Sequence, residues 1–152
     1  MQLLLIAHDP SNNTRTLAEA VLAGAESVAA QGLTVRHVRP LKACADDVLS
    51  SDAVILGTPE NLGYMSGALK DFFDRSYYGL LDHTDALPFA FYVRAGQDGT
   101  GTRRAIESIC GGLKWNLAQP PVICRGEWQD AFLDQCRELG ATMAAGLEAG
   151  VL

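Results

Sequence analysis

Long apolar runs are missing from this chain of 152 residues: no stretch approaches the ~20 consecutive apolar residues that a membrane helix requires. Basic residues are scarce, 12 Lys and Arg against 18 Asp and Glu, a formal net charge of −6. That balance argues against a nucleic-acid partner, which calls for a basic face. Arg103-Arg104 is the one adjacent basic pair, and a solvated helix start accounts for it. The four cysteines (Cys44, Cys110, Cys124, Cys136) form no Cys-x-x-Cys pair and have no companion histidine spacing, which speaks against a zinc site or a redox dithiol. Missing too are the Gly-x-Gly-x-x-Gly of a dinucleotide fold and the Gly-x-x-x-x-Gly-Lys-[Ser/Thr] of a nucleotide triphosphatase. Met1-Gln2 leads straight into an apolar stretch with no basic n-region or cleavage site, so a cytoplasmic protein is expected.

What is present is an alternation of strand and helix patterns. Apolar residues make up 48% of the chain, enough for one domain spanning 1–152 with a two-faced core. Leu3-Leu4-Leu5-Ile6-Ala7 reads as a buried first strand, followed by a polar turn and a helix from about Thr16. In that helix Leu17, Val21, Ala25 and Val28 form the inner stripe, and Gln31-Gly32 ends it. Residues 33–38, with Arg36, His37 and then Arg39, suggest an edge strand, and residues 43–50 a brief helix. Residues 52–57 are apolar enough for a central strand. Ser66 is placed to cap a helix over 67–75. A fourth strand covers 87–93 and a fifth 121–124, each followed by a helix; the last carries Phe132, Cys136, Leu139 and Met143. Five strands alternating with helices predict a three-layer α/β sandwich around a five-stranded parallel sheet, helices on both faces.

Ligands of open α/β sheets bind beyond the carboxyl ends of the strands, where the strand order reverses. Residues 8–14, 58–65 and 94–101 leave three such ends and are the most turn-rich parts of the chain. With sheet order 2-1-3-4-5 they converge. The first loop joins a strand to a helix N-terminus, where unpaired N–H groups and the helix dipole favour an anion. Its donors are hydroxyls and amides (Ser11, Asn12, Asn13, Thr14, Thr16) and suit a phosphate monoester.

The segment 8–18, His-Asp-Pro-Ser-Asn-Asn-Thr-Arg-Thr-Leu-Ala, resembles the phosphate loop of the flavodoxin-like superfamily. The segment 58–75, Thr-Pro-Glu-Asn-Leu-Gly-Tyr-Met-Ser-Gly-Ala-Leu-Lys-Asp-Phe-Phe-Asp-Arg, is similar to the second loop of NAD(P)H-dependent FMN reductases. The resemblance implies a flavodoxin-like fold and FMN as cofactor. By that analogy Ser11, Asn12, Asn13 and Thr14 wrap the phosphate. Pro59, Glu60, Asn61, Gly63 and Tyr64 line one side of the flavin, and Ala95, Gly96 and Gly99 contribute backbone on the other. Turn chemistry around Pro59 is the rival account of Glu60 and Asn61, and a subunit contact that of Tyr64. Asp9 departs from the pattern: a carboxylate stands where the family has a hydroxyl, repulsive to phosphate unless it points away. Asn12 stands where glycine is usual.

The implied activity is an oxidoreductase passing electrons from NADPH or NADH through FMN to a small-molecule electron acceptor such as a quinone or flavin. It implies a homodimer or homotetramer as well. No side chain stands out as a catalytic acid, base or nucleophile, and none as a metal ligand; His8 reads as a structural residue at a strand end. Two other readings remain: an electron carrier of the flavodoxin kind, which the acidic balance suits, and an interaction domain with weak or lost FMN binding, which Asp9 suits.

Overall fold

A computed structural model describes residues 1–30 and 32–152. Twelve elements follow in the order β1 (Gln2–Ala7), α1 (Asn12–Val28), β2 (Thr34–Val38), α2 (Ala45–Leu49), β3 (Ala53–Asn61), β4 (Tyr64–Met65), α3 (Gly67–Leu80), β5 (Pro88–Ala95), α4 (Thr100–Gly112), β6 (Asn116–Leu117), β7 (Val122–Arg125) and α5 (Ala131–Ala149). The parallel sheet runs β2-β1-β3-β5, with β6 and β7 both on the far edge of β5 and β4 antiparallel to β3. The expected order therefore holds, but seven segments replace five strands. The fifth strand is split because Pro120-Pro121 interrupts the ladder: proline has no N–H to donate. The short β4 is the return arm of a hairpin.

Period-two alternation sends successive strand side chains to opposite faces, and both faces are buried. Leu3, Leu5, Ile55, Ala90 and Tyr92 meet α1 and α5, while Leu4, Ile6, Val54, Leu56, Phe89 and Phe91 meet α3 and α4. The stripe on α5 is buried throughout. On α1 Leu17, Val21 and Ala25 are buried, but Val28, expected inside, is 39% exposed at the last residue of the helix. The helix ends at Val28 with Ala29 as its cap, before Gly32, which does adopt a positive φ of 108°; Gln31, its partner in the expected stop, lies outside the described residues.

Two glycines set the spacing of the outer layer. A Cβ on Gly24 would lie 1.9 Å from the carbonyl oxygen of Arg137, and one on Gly140 2.0 Å from that of Val21. The backbones of α1 and α5 are thus in contact. Among the described residues, no helix is long and apolar enough to cross a membrane, and no group of three or more His, Cys, Asp or Glu is arranged to hold a metal.

Candidate functional site

The first loop is shorter than its sequence suggests. α1 begins at Asn12, four residues before the expected start, because Ser11 and Thr14 close a reciprocal cap. The Ser11 hydroxyl accepts from the Thr14 amide at 3.2 Å, and the Thr14 hydroxyl accepts from the Ser11 amide at 2.9 Å. Both hydroxyls expected to face a phosphate are therefore engaged within the cap, Thr14 being buried. Among the described residues the backbone amides of Asn12 and Asn13 find no acceptor. They stand at the positive end of a 17-residue helix, so the groups left free to meet an anion there are backbone amides rather than hydroxyls. Asn12 has helical backbone as the first residue of α1, and that conformation needs no glycine.

His8 donates its amide to the Gly57 carbonyl at 2.9 Å, fastening the loop to β3. Burial holds its imidazole below the ordinary histidine pKa, with a smaller opposing pull from Asp9. Asp9, only 8% exposed, turns away along the sheet edge: its carboxylate accepts from Arg39 Nε at 2.9 Å and from the terminal Arg39 nitrogen at 3.5 Å. The charge that would repel a phosphate is thus matched by a guanidinium just past the end of β2.

The second loop is a hairpin, not a loop. β3 continues through Thr58-Pro59-Glu60-Asn61, turns at Leu62-Gly63 with φ values of 53° and 75°, and returns as Tyr64-Met65. Two successive positive φ values are the signature of the tight turn whose twist matches paired strands. Glu60 faces Met65 and Asn61 faces Tyr64. The Thr58 hydroxyl closes the base, accepting from the Ser66 amide at 3.0 Å and donating to the Pro59 carbonyl at 2.8 Å. Pro59 is buried, Asn61, Gly63 and Tyr64 are exposed, and Leu62 at the tip is fully exposed. Ser66 caps α3 as expected.

The hairpin is locked to the third loop by Glu60. Its carboxylate accepts from the Gln97 amide at 3.1 Å and from the Gly99 amide at 2.9 Å. Glu60 thus has a structural duty that sequence reasoning did not find, and the amide of Gly99 is occupied. Gly99 adopts a positive φ of 72° where α4 begins. A Cβ on Gly101 would lie 2.2 Å from the Gly63 carbonyl oxygen, so the first turn of α4 touches the hairpin. Ala95 is the buried last residue of β5, and its carbonyl accepts from the amide of Gly126. Gly96 is exposed, with open space around it. Arg94 is spent elsewhere: it donates to the carbonyls of Ala95, Cys124 and Gly126 and lies over the rings of Trp128 and Phe132.

All twelve expected residues therefore lie at the carboxyl ends of β1, β3 and β5 or in the segments that follow. Glu60 directly joins two of the three groups. Arg39 was missed as a member of this region, although its charge at the end of an edge strand beside β1 was the available signal.

Comparison with known proteins agrees with this architecture. A curated flavodoxin of Aquifex aeolicus (strain VF5) is 27% identical over 159 aligned positions, covering 94% of this chain and 85% of that protein. Among solved structures, a flavodoxin from the domain Archaea superposes with a TM-score of 0.82 at 19% identity, over 97% of this chain and 99% of that one. A flavodoxin, WrbA-like protein from Agrobacterium tumefaciens gives 0.72 at 19%, over 97% and 98%. These structural likenesses establish the flavodoxin-like fold. The family model described as NADPH-dependent FMN reductase matches residues 1–122, from β1 across the anion seat, the hairpin and the third loop to the start of β7, and this chain belongs to that family.

Proposed function

We propose that the protein is an FMN-dependent oxidoreductase that takes electrons from NADPH or NADH and passes them to a small acceptor such as a quinone, a free flavin, or a nitro or azo compound. The observation that carries this reading is the anion seat: two unpaired backbone amides at the positive end of α1, with the Asp9 carboxylate drawn off by Arg39. That donor set fits the phosphate of FMN. When bound, the flavin would supply the redox chemistry, and the chain would supply binding, orientation and an open face. Asn12 and Asn13 would hold the phosphate. The hairpin residues Pro59, Glu60, Asn61, Gly63 and Tyr64 and the backbone of Ala95, Gly96 and Gly99 would flank the ring. Ser11 and Thr14 would act by holding the helix start in place, since their hydroxyls are committed to the cap.

Purified protein is expected to take up FMN from solution and show a bound-flavin absorption spectrum, and anaerobic mixing with NADPH or NADH is expected to bleach it. A bound flavin that neither nucleotide bleaches would favour the second reading, an electron carrier. The similarity to a protein named flavodoxin over 94% of the chain and the net charge of −6 speak for that alternative. A chain that takes up no FMN rules out both.

The Asp9→Ser substitution separates repulsion from neutralisation. It removes one negative charge and releases Arg39, so FMN should bind roughly fivefold more tightly, about the Coulomb energy of one charge pair at contact in water. The gain should fade in high salt. Titration of flavin fluorescence measures it, and weaker binding would mean that the Asp9–Arg39 pair shapes the loop instead.

A homodimer or homotetramer that works in the cytoplasm completes this reading. Tyr78, 84% exposed on α3 beside a largely apolar recess with Phe73 and Ile109, supports a subunit contact there. The four free cysteines are in keeping with a reducing compartment.

A further inference from the structure

Two thiols, a phenol and a guanidinium with no part in the flavin reading meet where β5 and β7 pack on α5. Cys124, in β7, and Cys136, in the second turn of α5, are both fully buried and belong to one core. Their thiols hydrogen-bond to each other. Arg94 faces Cys124 across the β5–β7 ladder, and its guanidinium donates to the Cys124 carbonyl at 3.0 Å. The same guanidinium lies 5.5 Å from the ring centre of Phe132, one turn before Cys136. The Tyr92 hydroxyl, buried and without a hydrogen-bond partner, stands close enough to both sulfurs to respond to their charge. Cys-x-x-Cys spacing is absent from the sequence, and the fold supplies the proximity in its place.

The two thiols differ in character. The hydrogen bond from Cys136 holds Cys124 below the ordinary cysteine pKa; burial opposes it, and the charge of Arg94 adds to the lowering. Cys136 is pushed up, first by that hydrogen bond and then by burial. One sulfur is thus the nucleophile and the other keeps its proton. Of the remaining cysteines, Cys44 is exposed and Cys110 is pushed up by burial alone. The orphaned phenol is one partner short, so a small oxygen-bearing molecule beside it gains a hydrogen bond. β7 is a four-residue strand paired to β5, and local opening of so short an edge admits such a molecule.

We infer that Cys124 and Cys136 form a reversible oxidation site for small hydroperoxides, closing to an intramolecular disulfide between β7 and α5. The Cys124 thiolate attacks one peroxide oxygen and the O–O bond breaks. The sulfur keeps that oxygen as a sulfenic acid, and the other oxygen leaves with the proton that Cys124 has lost. The Cys136 sulfur then attacks the Cys124 sulfur. An S–S bond forms, the S–O bond breaks, and the hydroxyl departs as water with the Cys136 proton. Two thiols are oxidised by two electrons and one hydroperoxide is reduced. Arg94 steadies the thiolate, and the Tyr92 hydroxyl donates to the leaving oxygen. No step involves the flavin, so the inference stands or falls apart from the reductase reading.

The test treats the reduced, flavin-free full chain with hydrogen peroxide, alkylates the remaining thiols after unfolding, and digests with trypsin. Two of the four thiols should be lost, and the peptides ending at Arg125 and Arg137 should be joined until a reductant parts them. Cys136→Ser should stop at the Cys124 sulfenic acid, which dimedone traps. Arg94→Met should slow the oxidation by about tenfold, and Arg94→Lys, which keeps the charge, by less. The parent chain carries the main result, so a variant that fails to fold leaves the test intact. A pair still reduced when the exposed Cys44 is oxidised overturns the inference. So does a Cys124 that passes to sulfinic acid without linking to Cys136, or a link that forms only in the chain unfolded by urea.

Discussion

Glu60→Ala is expected to weaken FMN binding by about ten- to thirtyfold while shifting the melting temperature of the flavin-free protein little. The carboxylate makes the two hydrogen bonds that tie the hairpin to the third loop, to the amides of Gln97 and Gly99. A bond to a charged group is worth about 1.5–3 kcal/mol. Glu60 is half-buried, so solvent screens it and the lower part of that range applies to the pair. The bonds hold one surface segment against another, and their loss leaves the two cores untouched. It does free residues 96–99, a segment with glycine at both ends, whose ordering entropy would then be charged to ligand binding. Glu60→Gln should fall between the two, because its amide keeps one acceptor but turns an N–H toward the second amide. Flavin fluorescence titration of the three proteins, beside thermal melts without flavin, measures both effects. Parent-like FMN affinity in Glu60→Ala would mean that the third loop is held by other contacts.

The largest effect on stability is expected at Gly140. Its Cβ position coincides with the Val21 carbonyl oxygen at 2.0 Å and lies 3.1 Å from the Ala25 nitrogen, so any side chain must push α5 away from α1. The obstacle is backbone, which cannot rotate aside as a flexible side chain does. Gly140→Val should therefore cost about 3 kcal/mol, the upper end of overpacking penalties, and lower the melting temperature by roughly 10 °C. Gly24→Ala, which meets the Arg137 carbonyl from the other helix at 1.9 Å, should behave similarly. The two together should cost less than their sum, since one displacement of α5 relieves both. Gly111→Ala, where a Cβ would meet open space, is the control and should be neutral or stabilising. A Gly140→Val protein that melts with the parent would show that α5 can shift at no cost.

Periodicity made most of the architecture legible. Continuous apolar runs at 3–7 and 53–57 mark strands covered on both faces, and the charged residues of β2 mark the edge. Local chemistry was less readable. Thr58-Pro59-Glu60-Asn61 carries proline and asparagine, both poor strand formers, yet it extends β3 because Thr58 and Pro59 still pair with β5. Ser11 and Thr14 offered hydroxyls that could cap a helix or hold a ligand. The cap prevailed, moving the start of α1 from Thr16 to Asn12.

The residue types of this chain were enough to indicate the layer architecture and the three turn-rich segments, while the strand order came from the family resemblance. The layers and turns follow from hydrophobic periodicity and turn residues, which act over a few neighbours and leave their mark locally. Tertiary structure alone decided the pairings across distance: Asp9 with Arg39, Glu60 with the amides of Gln97 and Gly99, Gly140 against the Val21 carbonyl. Nothing local in either partner specifies such a pair. A carboxylate beside a phosphate seat reads as repulsive until the fold brings the end of a neighbouring strand, and its guanidinium, alongside.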